Sequence, residues 1–167
     1  MTARVTALLT VTAIAAVVAG CGGDDEDSPT ASADQGRTTP SASEAKFISR
    51  VNAICTARKR ELLKDLGAYS LAYRERHPNQ RAAADAFPGG LRTVGLPGLE
   101  TLAAELRKIE PPPDDEGRAE AYLDEFEAAI DSAQERKRID EAQFVKDFEK
   151  SRELAREYGI GACAIGG

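Results

Sequence analysis

Tryptophan is absent from this chain, histidine occurs once, and the only methionine is residue 1. Aromatic residues make up 5% of the sequence, against 30% charged. From residue 45 onward Ala, Glu, Arg and Leu dominate, a composition that favours helix over sheet. A single histidine, His77, leaves no second imidazole for a tetrahedral zinc site of the usual ligands. Gly-x-Ser-x-Gly elbows, phosphate loops and dinucleotide fingerprints are missing too, and Gly89-Gly90 is too isolated to cradle a phosphate. The 22 bases are outnumbered by 28 acids, for a net charge of −6, which gives a nucleic-acid role no electrostatic support. No long hydrophobic run is present either. The longest, from Val5 to Ala19, would reach only about 22 Å as a helix, short of a hydrocarbon core of about 30 Å.

That short run is nevertheless informative. Met1 to Arg4 carry one positive charge, residues 5–19 are only Val, Leu, Ile, Ala and Thr, and Asp24-Asp25-Glu26-Asp27 follow in place of a basic stop-transfer cluster. A charged start, an apolar core and a small-residue exit form the pattern of an export signal. Val18-Ala19-Gly20-Cys21 at its end resembles the processing site of bacterial lipoproteins. The resemblance implies cleavage before Cys21, a diacylglyceryl thioether on its sulfur, and further acylation, for example by palmitate, on its amine. It also implies an address, the extracytoplasmic face of the cell membrane. Two or more acyl chains hold stably where one holds only marginally. The competing reading is an ordinary cleaved signal with Cys21 there by accident.

Three segments follow: a signal peptide over 1–20, a lipidated cysteine with an acidic linker over 21–44, and a helical domain over 45–167. Residues 22–44 carry six acids and one base and no Val, Ile, Leu, Met, Phe, Tyr or Trp. Such a tract cannot bury enough apolar area to offset its ordering entropy, so disorder is expected. Calcium binding by Asp24–Asp27 would be weak without a fixed oxygen cage.

The domain reads as all-α, an antiparallel bundle of about four helices. Ser41 and Glu44 form a capping-box pattern. Beyond them Ile48, Val51, Cys55, Arg58, Leu62, Leu66, Tyr69 and Tyr73 recur at helical steps, until His77-Pro78 ends the run. Residues 78–98, heavy in proline and glycine, read as a connector with a short helical turn over 81–87. Phe87, Leu91, Val94 and Leu96 make it either a packed cover or a recognition loop. Leu99, Leu102, Leu106 and Ile109 then predict a helix that Pro111–Pro113 stops. Asp114 is the expected cap of the next, whose seam is Ala119, Tyr122, Leu123, Phe126, Ala129, Ile130 and Ala133. A last helix spans about 140–158, with Phe144, Phe148, Ala155 and Tyr158 inward and Gly159 in the left-handed position after it.

With Cys21 carrying lipid, Cys55 and Cys163 remain, and two thiols in an exported protein invite one disulfide. They lack a Cys-x-x-Cys arrangement, which argues against a redox-active pair. Phe47, Ile48, Asn52, Ala53, Ile54 and Cys55, then Pro111–Pro113, then Gly159, Ile160 and Cys163 loosely resemble a pattern in small exported actinobacterial helical proteins. That resemblance implies an uncharacterised helical domain and no activity.

Among candidate site residues, Arg58 occupies a core-facing step. It is either a snorkelling side chain, a buried partner of a carboxylate, or an anion-binding group in a groove. Glu120, Asp124, Glu127 and Asp131 line one helical strip, which reads as a solvated face before it reads as a docking surface. His77 at a helix end reads as solvated or capping. No catalytic, cofactor or metal residue is assigned. The expected function is a noncatalytic, membrane-anchored helical module that binds a protein or envelope component. The alternatives are a small-ligand carrier and a carboxylate-dependent cell-envelope enzyme. Small seam residues (Ala119, Ala129, Ala133, Ala155) favour close helix approach over a large cavity.

Overall fold

A computed structural model describes residues 40–78 and 82–166, and among these all regular structure is helical. The expected signal segment, Cys21 and most of the linker lie outside the described residues. Helix α1 runs Ala42–Arg76, beginning directly after the expected cap. Ser41 caps it, its hydroxyl accepting from the Glu44 backbone N–H at 3.1 Å. The Glu44 carboxylate meets Arg118 at 3.3 Å, so only the first half of the expected capping box is seen among the described bonds. At the far end the His77 N–H donates to the Tyr73 and Arg74 carbonyls. The His77 ring stacks on Tyr73, which makes it the helix-end residue expected.

The segment expected to be a connector is helix instead. α2 (Ala82–Gly90) continues through a wider turn over Leu91–Gly95 into α3 (Leu96–Leu106), and α2 carries Pro88 in its interior. In the wide turn the Leu96 N–H reaches back to the Leu91 carbonyl. Pro97 follows at the start of α3, where a missing N–H is tolerated. The glycines serve packing. A Cβ on Gly89 would lie 2.5 Å from the Tyr69 hydroxyl, and one on Gly98 would lie 2.7 Å from a Leu62 methyl. They let α2 and α3 approach α1 closely. Leu91 and Leu96 are buried and Val94 partly so, while Phe87 is exposed, so the packed-cover reading describes the later part of this segment.

Pro112 precedes a single tight turn, Pro113–Asp115, and α4 occupies Glu116–Glu135. Asp115, not Asp114, stands at the N-cap position. It makes no side-chain cap bond and is buried, its carboxylate taken by Arg118 at 3.0 Å. All seven seam residues expected of α4 are buried. The last expected helix is interrupted, as α5 (Glu141–Asp147) and α6 (Glu149–Glu157) meet at Phe148. Phe148 is fully buried, and its carbonyl accepts from the Ser151 hydroxyl at 3.1 Å as well as from the Arg152 N–H. Such back-bonding by serine bends helices.

Gly159 turns the chain with φ of +84°, as expected, and a tight turn Gly161–Cys163 returns it to α1. There Cys163 joins Cys55 across 108 residues. Asn52 receives the tail, donating to the Gly159 carbonyl and accepting from the Ala162 N–H, each at 3.0 Å. Lys59 donates to the Ala164 carbonyl at 3.0 Å. Element contacts run from α1 to α3, α3 to α4, α4 to α6, α6 to the C-terminal turn, and from that turn back to α1. Phe126, Phe148, Leu99, Leu102 and Ile160 fill the centre of this ring.

Candidate functional site

Cys21 lies outside the described residues. The other expected site residue, Arg58, stands on α1 beside a groove lined by Glu61, Leu62, Asp65, Val94, Pro97, Gly98 and Thr101. Its guanidinium is fully engaged. The Nε donates to Glu105 of α3 at 2.7 Å, Nη2 donates to the other oxygen of the same carboxylate, and Nη1 donates to Glu61 at 2.7 Å. Of the three readings of Arg58, pairing with a carboxylate is the one seen, but the pair is not buried. The two side chains are 36% and 30% exposed. Its hydrogen bond to Arg58 holds the Glu105 carboxyl below the ordinary carboxylate range. An anion entering this groove would have to displace two carboxylates and pass Asp65, so the surroundings oppose anion binding.

The acidic strip of α4 is also partly engaged. Arg107, at the end of α3, donates to Asp124 at 2.6 Å and to Glu127 at 2.7 and 3.0 Å. Glu120 and Asp131 are exposed. The clamp holds the C-terminal end of α3 to α4. It does not set two free carboxylates facing each other. Among the described residues no group of three or more His, Cys, Asp or Glu side chains is placed to hold a metal ion.

Sequence reasoning missed one further place. Where the start of α1, the end of α3, the start of α4 and the end of α6 meet, a pocket of about 140 Å³ opens. Val51, Leu106, Ile109, Leu123 and Ile160 make its walls apolar, and Arg107, Glu116 and Glu120 stand among its polar residues. Tyr158 also lines it, with a buried hydroxyl that has no hydrogen-bond partner among the described atoms. Burial pushes that phenol up to about 12. Arg118 sits 4.5 Å above the Tyr158 ring and bridges Asp115 and Glu44. The arrangement can take a small apolar group. It is smaller than the roughly 300–1,000 Å³ of most ligand sites. The residues that line it come from four separate elements, so no local pattern in the sequence marks it.

No protein-family model matches the chain, and comparisons with curated proteins and with solved structures find no match either.

Proposed function

We propose that this chain is a lipoprotein anchored at the extracytoplasmic face of the cell membrane. Its helical domain, an antiparallel bundle, serves there as a noncatalytic module that binds a protein or envelope component. The observation that carries the reading is Val18-Ala19-Gly20-Cys21 placed directly after the apolar run of residues 5–19. Small residues before a cysteine suit a lipoprotein signal peptidase, and the thiol is the nucleophile for diacylglyceryl transfer. Support comes from the other cysteines. With Cys55 joined to Cys163, Cys21 is the one cysteine of three left over, and a disulfide fits an oxidising compartment. A noncatalytic role is supported by the engagement of Arg58, Glu105, Asp124 and Glu127 in pairs that tie helices together.

Mass spectrometry of the mature N-terminus tests the reading. The expected species begins at Cys21 and carries a diacylglyceryl thioether, and Cys21→Ala accumulates the unprocessed precursor. A mature chain free of lipid would overturn it.

A second reading, a small-ligand carrier, is favoured by one observation: the small, mostly apolar pocket where α1, α3, α4 and α6 meet. A ligand there would be small and largely apolar.

A further inference from the structure

Helix α1 presents a second, largely open face; only at its start do Lys46 and Arg50 stand beside a groove shared with Glu110 and Pro111–Pro113. Lys46, Arg50, Ala53, Ala57, Arg60, Lys64, Gly67, Leu71 and Arg74 follow one another at alternating steps of four and three, which places them in one continuous ridge. Every one of them is exposed. Five are cations, four are small or apolar, and none is an acid. Among the described residues no ion pair involves any of the five cations. Leu63 flanks the ridge at 69% exposure, and Leu71 within it is 62% exposed. The residues that α1 turns inward, Val51, Cys55 and Leu62, lie on the opposite side of the helix.

We infer that this ridge docks the domain lengthwise on an anionic phospholipid surface. Charge decides between the possible occupants. A second copy would set cations against cations along the whole ridge. A flat anionic surface instead satisfies all five at once, over about 42 Å of straight helix. Ala53, Ala57 and Gly67 let the helix backbone come close to that surface, and Leu63 and Leu71 can enter the headgroup layer, as in interfacial amphipathic helices. The acidic helix α4 lies across the ring from α1, so the same field that attracts α1 holds α4 away and sets the orientation. The inference deepens the lipoprotein reading. The twenty residues between Cys21 and Ala42 reach at most about 70 Å, so an anchor at Cys21 would hold the ridge within range of the bilayer.

The test uses the chain from residue 21 with Cys21→Ser, so that lipidation plays no part. Every buried apolar residue among the described ones lies between Val51 and Ile165, so this chain carries its whole core. Vesicle sedimentation compares neutral phosphatidylcholine with phosphatidylcholine containing phosphatidylglycerol. Binding is expected on the anionic vesicles only, with loss as salt rises from about 0.1 to about 1 M. Each cation near such a surface accounts for about a fivefold change in partitioning, so Arg60→Glu/Lys64→Glu should weaken binding by at least about 25-fold while circular dichroism stays unchanged. Leu63→Ser/Leu71→Ser should weaken it to a lesser degree. A control, Glu120→Gln/Asp131→Asn, should not weaken it. Three results would overturn the inference: no preference for anionic vesicles, equal binding by the charge-reversed variant, or capture by soluble polyglutamate without vesicle binding, which would give the ridge to an acidic protein. Because this chain cannot be lipidated, its result is independent of whether Cys21 is modified.

Discussion

Helices α1 and α4 are both long and both amphipathic, yet they are held in opposite ways. Of the 20 residues of α4, seven are buried in the core, whereas α1 buries two of 35, Val51 and Cys55. Their charges also oppose. α1 holds eight bases against four acids, and α4 holds seven acids against one base. α4 is held by apolar contact along its length. α1 packs one edge, Phe47, Ile48, Ile54 and Leu62, against the core and adds specific ties: the disulfide, the Asn52 and Lys59 bonds to the tail, the Arg58–Glu105 and Glu44–Arg118 pairs, and the close approach of α2 and α3. A helix held along one edge can leave most of its surface free for something else, which a helix with a broad buried seam cannot do.

The strongest way to break that contrast is to cut the covalent tie. Cys55→Ser/Cys163→Ser opens a loop of 108 residues, for which the chain-entropy model gives a loss of about 4–5 kcal/mol as an upper figure. Denaturant unfolding should show the loss as a lowered midpoint. Trypsin should then cut first at α1, after Arg58, Lys59 or Arg60, because the remaining ties there are few. If α4 opened first, α1 would not be the less firmly held of the two.

A pair of truncations sharpens the same comparison. Phe126 on α4 is fully buried, and it packs against Tyr122 and Phe148 at ring separations of 5.7 and 5.8 Å. Phe126→Ala should cost about 3–5 kcal/mol, whereas Leu63→Ala on the outer side of α1 should stay within about 0.5 kcal/mol. Urea midpoints measured side by side test the pair. A comparable loss from both would mean that the outer side of α1 is packed in solution, against another copy for instance.

The same difference explains what could be read from the sequence. Along α4 the apolar spacing is clean and every expected seam residue is inside, because one helix facing one core leaves a simple periodic record. Gly159 was legible for a similarly local reason, a backbone requirement that glycine meets best. Residues 78–98 were not. Their glycines look like turn residues in one dimension, and only the nearness of Tyr69 and Leu62 on α1 explains them as contacts. The break at Phe148 likewise depends on where its ring must go. For Arg58 the alternatives included a carboxylate partner, but the sequence could not name Glu105, 47 residues away. The basic ridge was hidden by averaging, since the domain's net charge is close to neutral while α1 alone carries eight bases against four acids.

The smallest expected effect concerns the polar tie itself. Glu105 has its carboxyl pKa lowered in the folded protein, chiefly by the hydrogen bond from Arg58. In the unfolded chain it titrates near about 4.3. As pH falls, the unfolded state therefore takes up this proton first. The tie contributes fully above the unfolded value and is lost as pH falls through the folded value. Glu105→Gln removes the titrating group, so the stability difference between native protein and variant should be present at neutral pH and shrink towards acid. Salt should shrink it as well, because the pair is open to solvent. Urea midpoints of the two proteins between about pH 7 and 3 test the sign. A difference that does not change with pH would show that the contact between α1 and α3 rests on Leu62 and Gly98 and not on the ion pair. α1 would then be held by close apolar contact at that point, much as α4 is, and the contrast between the two helices would narrow to the disulfide and the tail.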